Sequence, residues 1–185
     1  MQRESELIDK AKAGSVSAFT LLVEGYRERL LRFLLTRCPS YADAEDALQD
    51  TLINAYRYLY SYDPRWRFST WLYRIAIRNA LKHAAGDTVE FTETPDDSDG
   101  PLEQCIDEEA RQNVWVRAKR VLNDDVYTAM WLRYVEDMSV NDVASVLKRS
   151  TSWTKVNLMR GRQALAAELG DTSAGNNEER SYGEV

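Results

Sequence analysis

The charge of this chain is divided between segments in a way that points to more than one folded body. Residues 86–110 contain ten Asp or Glu and no Lys or Arg, and they begin with GDTVEFTETPDDSDGP. A stretch so acidic, so rich in helix breakers and so poor in apolar residues cannot bury enough surface to fold by itself. The sequence therefore predicts a flexible acidic linker that joins two separate domains.

The segments on either side of this linker are mildly basic, although the whole chain carries a net charge of −6. Residues 1–85 hold thirteen Lys or Arg against ten Asp or Glu, and residues 111–170 hold ten against six. Overall acidity does not exclude nucleic-acid binding, because the negative charge lies in the linker and the tail. We predict domains at 1–85 and 111–170, a linker at 86–110 and a disordered tail at 171–185.

Apolar residues recur at intervals of three and four in both domains, and the 185 residues include only four Pro and eight Gly. This pattern predicts an all-α fold made of two small helical domains. Ser40, Ser139 and Ser150 each precede an amphipathic segment, and an acidic residue follows Ser40 and Ser139 by three positions. These serines are predicted N-caps.

The segment from Phe68 to Lys82 predicts a basic helix. Arg74, Arg78 and Lys82 repeat every four residues, and Trp71 and Tyr73 stand near its beginning. Cations that follow phosphates beside aromatic rings that stack on bases are typical of single-stranded nucleic-acid binding. The alternative is a solvated basic face above a buried Trp.

A second pattern near the end of the chain predicts a helix-turn-helix. The short segment after Ser139 is followed by a turn and by a longer helix, which places Leu158, Gly161 and Leu165 on one side. Lys155, Asn157, Arg160 and Arg162 fall on the other side, where a recognition helix would meet DNA. A helical hairpin without a DNA role is the alternative.

The sequence offers no catalytic constellation, metal site or cofactor motif. Cys38 and Cys105 lack the spacing of a metal site, and His83 is the only histidine. No run of about 18 apolar residues is present, and the first thirty residues are charged, so we expect a cytoplasmic protein without a membrane span or signal peptide. A magnesium nuclease built on acids near residues 43–50 is a less favoured alternative, because no second polar cluster accompanies them.

Three blocks of the sequence resemble the extracytoplasmic-function, or group IV, sigma factors, the compact specificity subunits of bacterial RNA polymerase. The blocks are Asp43–Thr51, which resembles region 2.2, Phe68–Lys82, which resembles regions 2.3 and 2.4, and Leu132–Arg162, which resembles region 4.2. The resemblance implies a non-enzymatic initiation factor that binds core polymerase, recognises and melts a promoter, and is held silent by an anti-sigma factor. A helix-turn-helix regulator that acts without polymerase is the alternative.

The resemblance also implies three sets of binding residues. Those for core polymerase, whose clamp and flap would be the partners, are Asp43, Glu45, Asp46, Gln49 and Asp50. Those for the minus-ten DNA are Phe68, Ser69, Thr70, Trp71, Tyr73, Arg74, Arg78, Asn79 and Lys82. Those for the minus-thirty-five DNA are Arg149, Ser150, Ser152, Trp153, Lys155, Asn157, Arg160 and Arg162.

Several residues depart from the family pattern. Arg78 stands where an Asn is common, Lys148 replaces a turn glycine, and Asn157 replaces a common Arg. If the turn still needs a left-handed residue, Lys148 carries strain of about 1 kcal/mol. We expect altered minus-thirty-five readout, with Trp153 either contacting thymine methyls or a protein partner, or packing on Trp131 or Trp115.

Overall fold

The computed structural model describes the chain at residues 2–84 and 114–178, with side chains from 3 to 83 and from 114 to 170. All regular secondary structure within these ranges is helical, which confirms the predicted fold class. The chain divides into two compact units, residues 1–105 and residues 106–185. The predicted linker at 86–110 lies outside the described residues. None of the described helices is long and apolar enough to cross a membrane.

The first unit is a helical bundle in which the last described helix packs against two others. Its described elements are α1 (Gln2–Lys12), α2 (Val16–Leu35), α3 (Tyr41–Arg57), a 3₁₀ turn (Leu59–Ser61) and α4 (Phe68–Ala84). α1 packs on α2, α2 packs on α3, and α4 packs against both α2 and α3. Because α4 has neighbours on two sides, its buried surface is wider than the single stripe of a helix lying on a bundle.

A buried polar network joins α3 to α4 inside this bundle. The Asn79 amide donates a hydrogen bond to Thr51 Oγ1 at 3.1 Å and accepts one from Asn54 Nδ2 at 3.3 Å. Thr51 in turn donates to the Ala47 carbonyl at 2.6 Å. Thr51 and Asn79 are almost fully buried, so each of these bonds offsets a desolvation cost that would otherwise destabilise the fold.

The predicted N-caps are confirmed at the helix starts. Ser40 Oγ accepts a hydrogen bond from the Asp43 backbone N–H at 3.1 Å and donates to the Asp43 carboxylate at 2.6 Å. Ser139 and Asp142 repeat this arrangement at the start of the helix Val140–Leu147, with the same two distances. Each serine satisfies an N–H that the first helical turn leaves without a backbone partner.

The second unit places a long helix against three shorter ones. Its described elements are α5 (Val114–Val121), α6 (Asp124–Tyr134), α7 (Val140–Leu147) and α8 (Thr151–Glu178), and α8 contacts each of the others. Gly161 lets α8 approach α6 closely, because a Cβ atom there would lie 3.0 Å from Val126 Cγ1. The helical backbone of α8 continues to Glu178, past residue 171, where a disordered tail was predicted to begin. No proline stops the helix there.

The turn between α7 and α8 contains a residue in the left-handed region, Lys148. It stands at the position where the family pattern has a glycine. Lys148 has φ 53° and ψ 39°, and the Arg149 N–H closes the turn on the Ala144 carbonyl at 2.9 Å. A non-glycine residue pays a steric cost in this region because its Cβ crowds the backbone.

Substituting Lys148→Gly is expected to raise the free energy of unfolding by about 1 kcal/mol, since glycine adopts the left-handed region without that cost. Lys155→Gly, in the exposed interior of α8, is the matched control and should lower it by about 1 kcal/mol. Chemical denaturation followed by circular dichroism measures both. Equal destabilisation by the two glycines would contradict strain at Lys148.

Candidate nucleic-acid interface

The structure separates the residues predicted on α4 into a buried and an accessible group. Phe68, Thr70, Tyr73 and Asn79 are buried, and the Tyr73 ring packs edge to face on Phe33 with centroids 5.2 Å apart. These four side chains, which the resemblance assigns to DNA, lie in the core of the first unit, because α4 packs on α2 and α3 at once. The accessible members are Ser69, Trp71, Arg74, Arg78 and Lys82.

An aromatic cluster stands at the beginning of α4. Trp71 contacts Tyr62 and Phe68, with ring centroids 5.6 Å apart in each case. The guanidinium of Arg74 lies 5.0 Å from the Trp66 ring centroid, which is cation–π geometry. Trp66 and Trp71 are only half-buried, so both indoles keep surface that an unstacked base could contact.

The loop before α4 contributes cations that the sequence-based site did not include. Arg65 and Arg67 are exposed on either side of Trp66, and Lys12 donates a hydrogen bond to the Tyr62 carbonyl at 3.0 Å. The sequence Arg65-Trp66-Arg67, directly after Asp63-Pro64, could have predicted this part of the site. It has the same combination of cations and an aromatic ring as α4.

Within that loop, Asp63 and Arg65 form a local ion pair. Arg65 Nη2 lies 2.6 Å from Asp63 Oδ2, and the Arg65 backbone N–H donates to Asp63 Oδ1 at 3.0 Å. Hydrogen bonds from the Arg65 side chain and backbone hold the pKa of Asp63 below its ordinary value. These hydrogen bonds to Asp63 hold the loop backbone in a turn.

The acidic residues of α3 fall into three settings. Asp43 belongs to the cap with Ser40, whereas Glu45, Asp46 and Gln49 are exposed. Asp50 reaches across to α4, where its Oδ2 lies 3.6 Å from Lys82 Nζ and 3.2 Å from His83 Nε2. Across the residues that the structure describes, no group of three or more His, Cys, Asp or Glu is arranged to hold a metal ion.

In the second unit, α8 presents the predicted polar residues at and after its N-cap. Ser150 Oγ accepts a hydrogen bond from the Trp153 N–H at 3.1 Å, which confirms it as the cap. The exposed side chains are Arg149, Ser150, Ser152, Lys155, Arg160 and Arg162, whereas Trp153 and Asn157 are half-buried. Leu158, Gly161 and Leu165 face inward as predicted.

Trp153 contacts Arg149. The guanidinium of Arg149 lies 5.2 Å from the Trp153 ring centroid, and Asn157 Nδ2 donates to the Trp153 carbonyl at 2.9 Å. The Trp115 and Trp131 rings instead contact each other, with centroids 5.1 Å apart. One N–H donor of the Asn157 amide is therefore used within α8, which leaves fewer hydrogen bonds for it to form with a base.

The division of α4 predicts opposite effects for two adjacent substitutions. Asn79→Ala should lower the free energy of unfolding by about 1–3 kcal/mol, because it leaves buried polar groups of α3 without their partner. Arg78→Ala should change that energy by less than about 0.5 kcal/mol. For single-stranded DNA binding, it should also make the slope of log K against log salt shallower by about 0.7, which is the contribution of one phosphate contact.

Denaturation curves and binding titrations in several salt concentrations measure both effects. An unchanged free energy of unfolding together with weaker DNA binding by Asn79→Ala would contradict a purely structural role for Asn79.

Comparisons with known proteins agree with this geometry. A family model described as Sigma-70 region 2 matches residues 22–88. The RNA polymerase sigma-H factor of Pseudomonas aeruginosa is 27% identical over 183 residues, covering 91% of this chain and 94% of the relative. The ECF RNA polymerase sigma-E factor of Escherichia coli K12 is 28% identical over 174 residues, covering 86% and 90%.

Two solved structures share the fold. The structure of CnrH in complex with the cytosolic domain of CnrY gives a TM-score of 0.68 at 23% identity, covering 91% of this chain and 98% of that one. The sigma factor RpoE from Bartonella quintana, in complex with the anti-sigma factor NepR, gives 0.60 at 20% identity, covering 84% and 98%. This chain therefore contains a segment that matches sigma-70 region 2, and it is similar along most of its length to proteins named as RNA polymerase sigma factors, among them an ECF sigma-E factor.

Proposed function

We propose that this chain is a sigma factor that binds core RNA polymerase, directs it to a two-part promoter and helps to melt the DNA there. The observation that carries the proposal is the chemistry of the first unit, which combines an exposed acidic surface on α3 with a cationic and aromatic surface at the loop and α4. A protein that only bound DNA would gain nothing from the acidic surface, because phosphates repel it.

The polymerase-binding surface on α3 is centred on Glu45, Asp46 and Gln49. All three are exposed and lie within two turns of one helix. Charges arranged in this way attract a basic partner surface and speed its encounter. Asp43 and Asp50 support this surface from its ends, since one caps α3 and the other ties it to α4.

The minus-ten surface combines Trp66 and Trp71 with the cations Arg65, Arg67 and Arg78. Opening a promoter exposes bases and requires a few kcal/mol of unstacking and unpairing, which stacking on protein rings offsets. The half-buried indoles supply the rings, and the exposed guanidinium groups supply contacts to phosphates.

The minus-thirty-five surface is the beginning of α8 and the turn before it. Ser150, Ser152 and Lys155 are exposed on the first turns of the helix, as base-edge and phosphate contacts in the major groove require. Arg160 and Arg162 lie further along the same helix and would contact phosphates.

Control by an anti-sigma factor is part of the proposal. CnrH and the Bartonella RpoE were both solved bound to a partner, and in the second case the partner is an anti-sigma factor. This chain exposes apolar side chains on its first unit, including Val16 and Leu21 at 61% and Tyr60 at 75%. Such side chains are the kind that a protein partner covers.

Run-off transcription tests the function directly. Purified protein and core polymerase are mixed with fragments of the host genome, and transcripts and nicked DNA are measured in the same tubes. New, discrete transcripts are the expected result. Promoter binding without transcripts would favour a helix-turn-helix regulator, and nicked DNA would favour a nuclease.

Reversing a charge on α3 should weaken polymerase binding. We expect Asp46→Lys to lower affinity for core polymerase by about tenfold, or 1.4 kcal/mol, because it places like charges together. Glu24→Lys makes the same charge change at an exposed position of α2 and serves as the control. Competition binding measures both; equal losses would show that only net charge matters.

Removing the Trp71 ring should impair promoter opening rather than polymerase binding. Trp71→Ala is expected to weaken opening by about 1–3 kcal/mol, the value of one stacked base, as read by the fluorescence of a base analogue in the minus-ten DNA. A template with a pre-opened bubble should restore initiation. Failure of that template to rescue a stably folded variant would count against a role in opening.

A further inference from the structure

The turn before α8 holds Arg149 in an ion pair with another helix. Arg149 Nη2 lies 2.5 Å from Asp125 Oδ2, and Asp125 stands in the first turn of α6. The side chains of Arg149 and Asp125 are 49% and 46% exposed, so the pair lies at the surface where the beginning of α8 would meet DNA. The two residues are 24 positions apart in the chain, and only the packing of α6 on α8 brings them together.

The pair fixes the position of the guanidinium as well as its charge. Arg149 lies over the Trp153 ring while it is bound to Asp125, so it is held between a carboxylate and an indole. These groups line a surface cavity of about 420 Å³ whose residues are Asn123, Asp124, Asp125, Arg149, Trp153 and Asn157. A guanidinium held in this way projects less freely into solvent than the side chain of Lys155 or Arg160.

The ion pair with Asp125 weakens the contact that Arg149 can form with a DNA phosphate. A DNA phosphate must displace Asp125 to form its own ion pair, and the carboxylate released then faces the phosphates. Contacts to phosphates carry no sequence information, whereas contacts to base edges do. The pair with Asp125 therefore weakens a contact that DNA of any sequence would offer to Arg149.

We propose that Asp125 is a positioning residue of the minus-thirty-five surface, which withholds Arg149 from DNA phosphates and so weakens non-specific DNA binding. The proposal rests on the proposed function, since it assumes that the beginning of α8 meets DNA. Contacts to base edges then depend on Ser150, Ser152 and Lys155, which are exposed on the first turns of α8.

The test uses the full chain and an unrelated double-stranded DNA, with fluorescence anisotropy read between about 50 and 200 mM salt. Asp125→Asn should tighten binding by about five- to tenfold at 100 mM salt and steepen the dependence of log K on log salt by about 0.9, the share of one added phosphate contact. Asp124→Asn, which makes the same charge change one residue earlier, is the matched control and should leave the slope unchanged.

Three further proteins make the test independent of any folding defect in one variant. Arg149→Gln alone should change binding to unrelated DNA less than twofold, because Arg149 is already withheld. Asp125→Glu, which can keep the ion pair, should retain the wild-type slope. Asp125→Asn combined with Arg149→Gln should bind like Arg149→Gln alone. Thermal denaturation of each protein shows that it is folded.

An unchanged salt slope for folded Asp125→Asn would overturn the proposal, as would an equal steepening by Asp124→Asn or a gain that survives the loss of Arg149. Run-off transcription by the wild-type chain separates this failure from failure of the proposed function. Normal promoter-directed transcripts together with an unchanged slope overturn the role of Asp125 alone. Absent transcripts overturn the proposed function, and the slopes still report whether Asp125 restrains Arg149.

Discussion

The buried contact between α3 and α4 is the constraint on which the first unit depends. Asn79 is a polar side chain on the buried side of α4, and its amide is satisfied only when Thr51 and Asn54 of α3 stand opposite it. A buried amide without partners is costly, so a shift of one helix along the other would lose these bonds. The network thus fixes the two helices in one register, and Asp50 adds a second link to Lys82 and His83 at the surface.

This fixed register explains how one small domain can keep an acidic surface on α3 beside a cationic surface on α4. The acids of α3 and the cations of α4 would attract each other if the helices were free to rearrange. Because the shared core holds them in place, Glu45 and Asp46 remain exposed, as does Arg78. The loop of Arg65, Trp66 and Arg67 extends the cationic surface without disturbing the acidic one.

Local features of the fold were predictable from the sequence because their causes are local. Ser40, Ser139 and Ser150 cap helices through residues only three positions away, and the left-handed turn at Lys148 follows from a place where a glycine is usual. The family resemblance assigned Asn79 to DNA, whereas the packing of α4 on α2 and α3 buries it.

Features that depend on distant contacts were not predictable. Tyr73 is buried because Phe33 of α2 covers it, and Arg149 is paired because α6 brings Asp125 to the turn. Neither partner is within helical reach in the sequence. Trp153 differs from these two, because its contact Arg149 is only four residues away, whereas the alternative partners Trp115 and Trp131 contact each other.

Site-specific photocrosslinking tests most directly whether the first unit works between two partners. A benzophenone amino acid replaces Gln49 on α3 in one protein and Arg78 on α4 in another, and each is irradiated with core polymerase and promoter DNA. The account predicts that the probe at position 49 crosslinks to a polymerase subunit and the probe at position 78 to DNA. A probe at position 49 that crosslinks to DNA, or to no polymerase subunit, would contradict it.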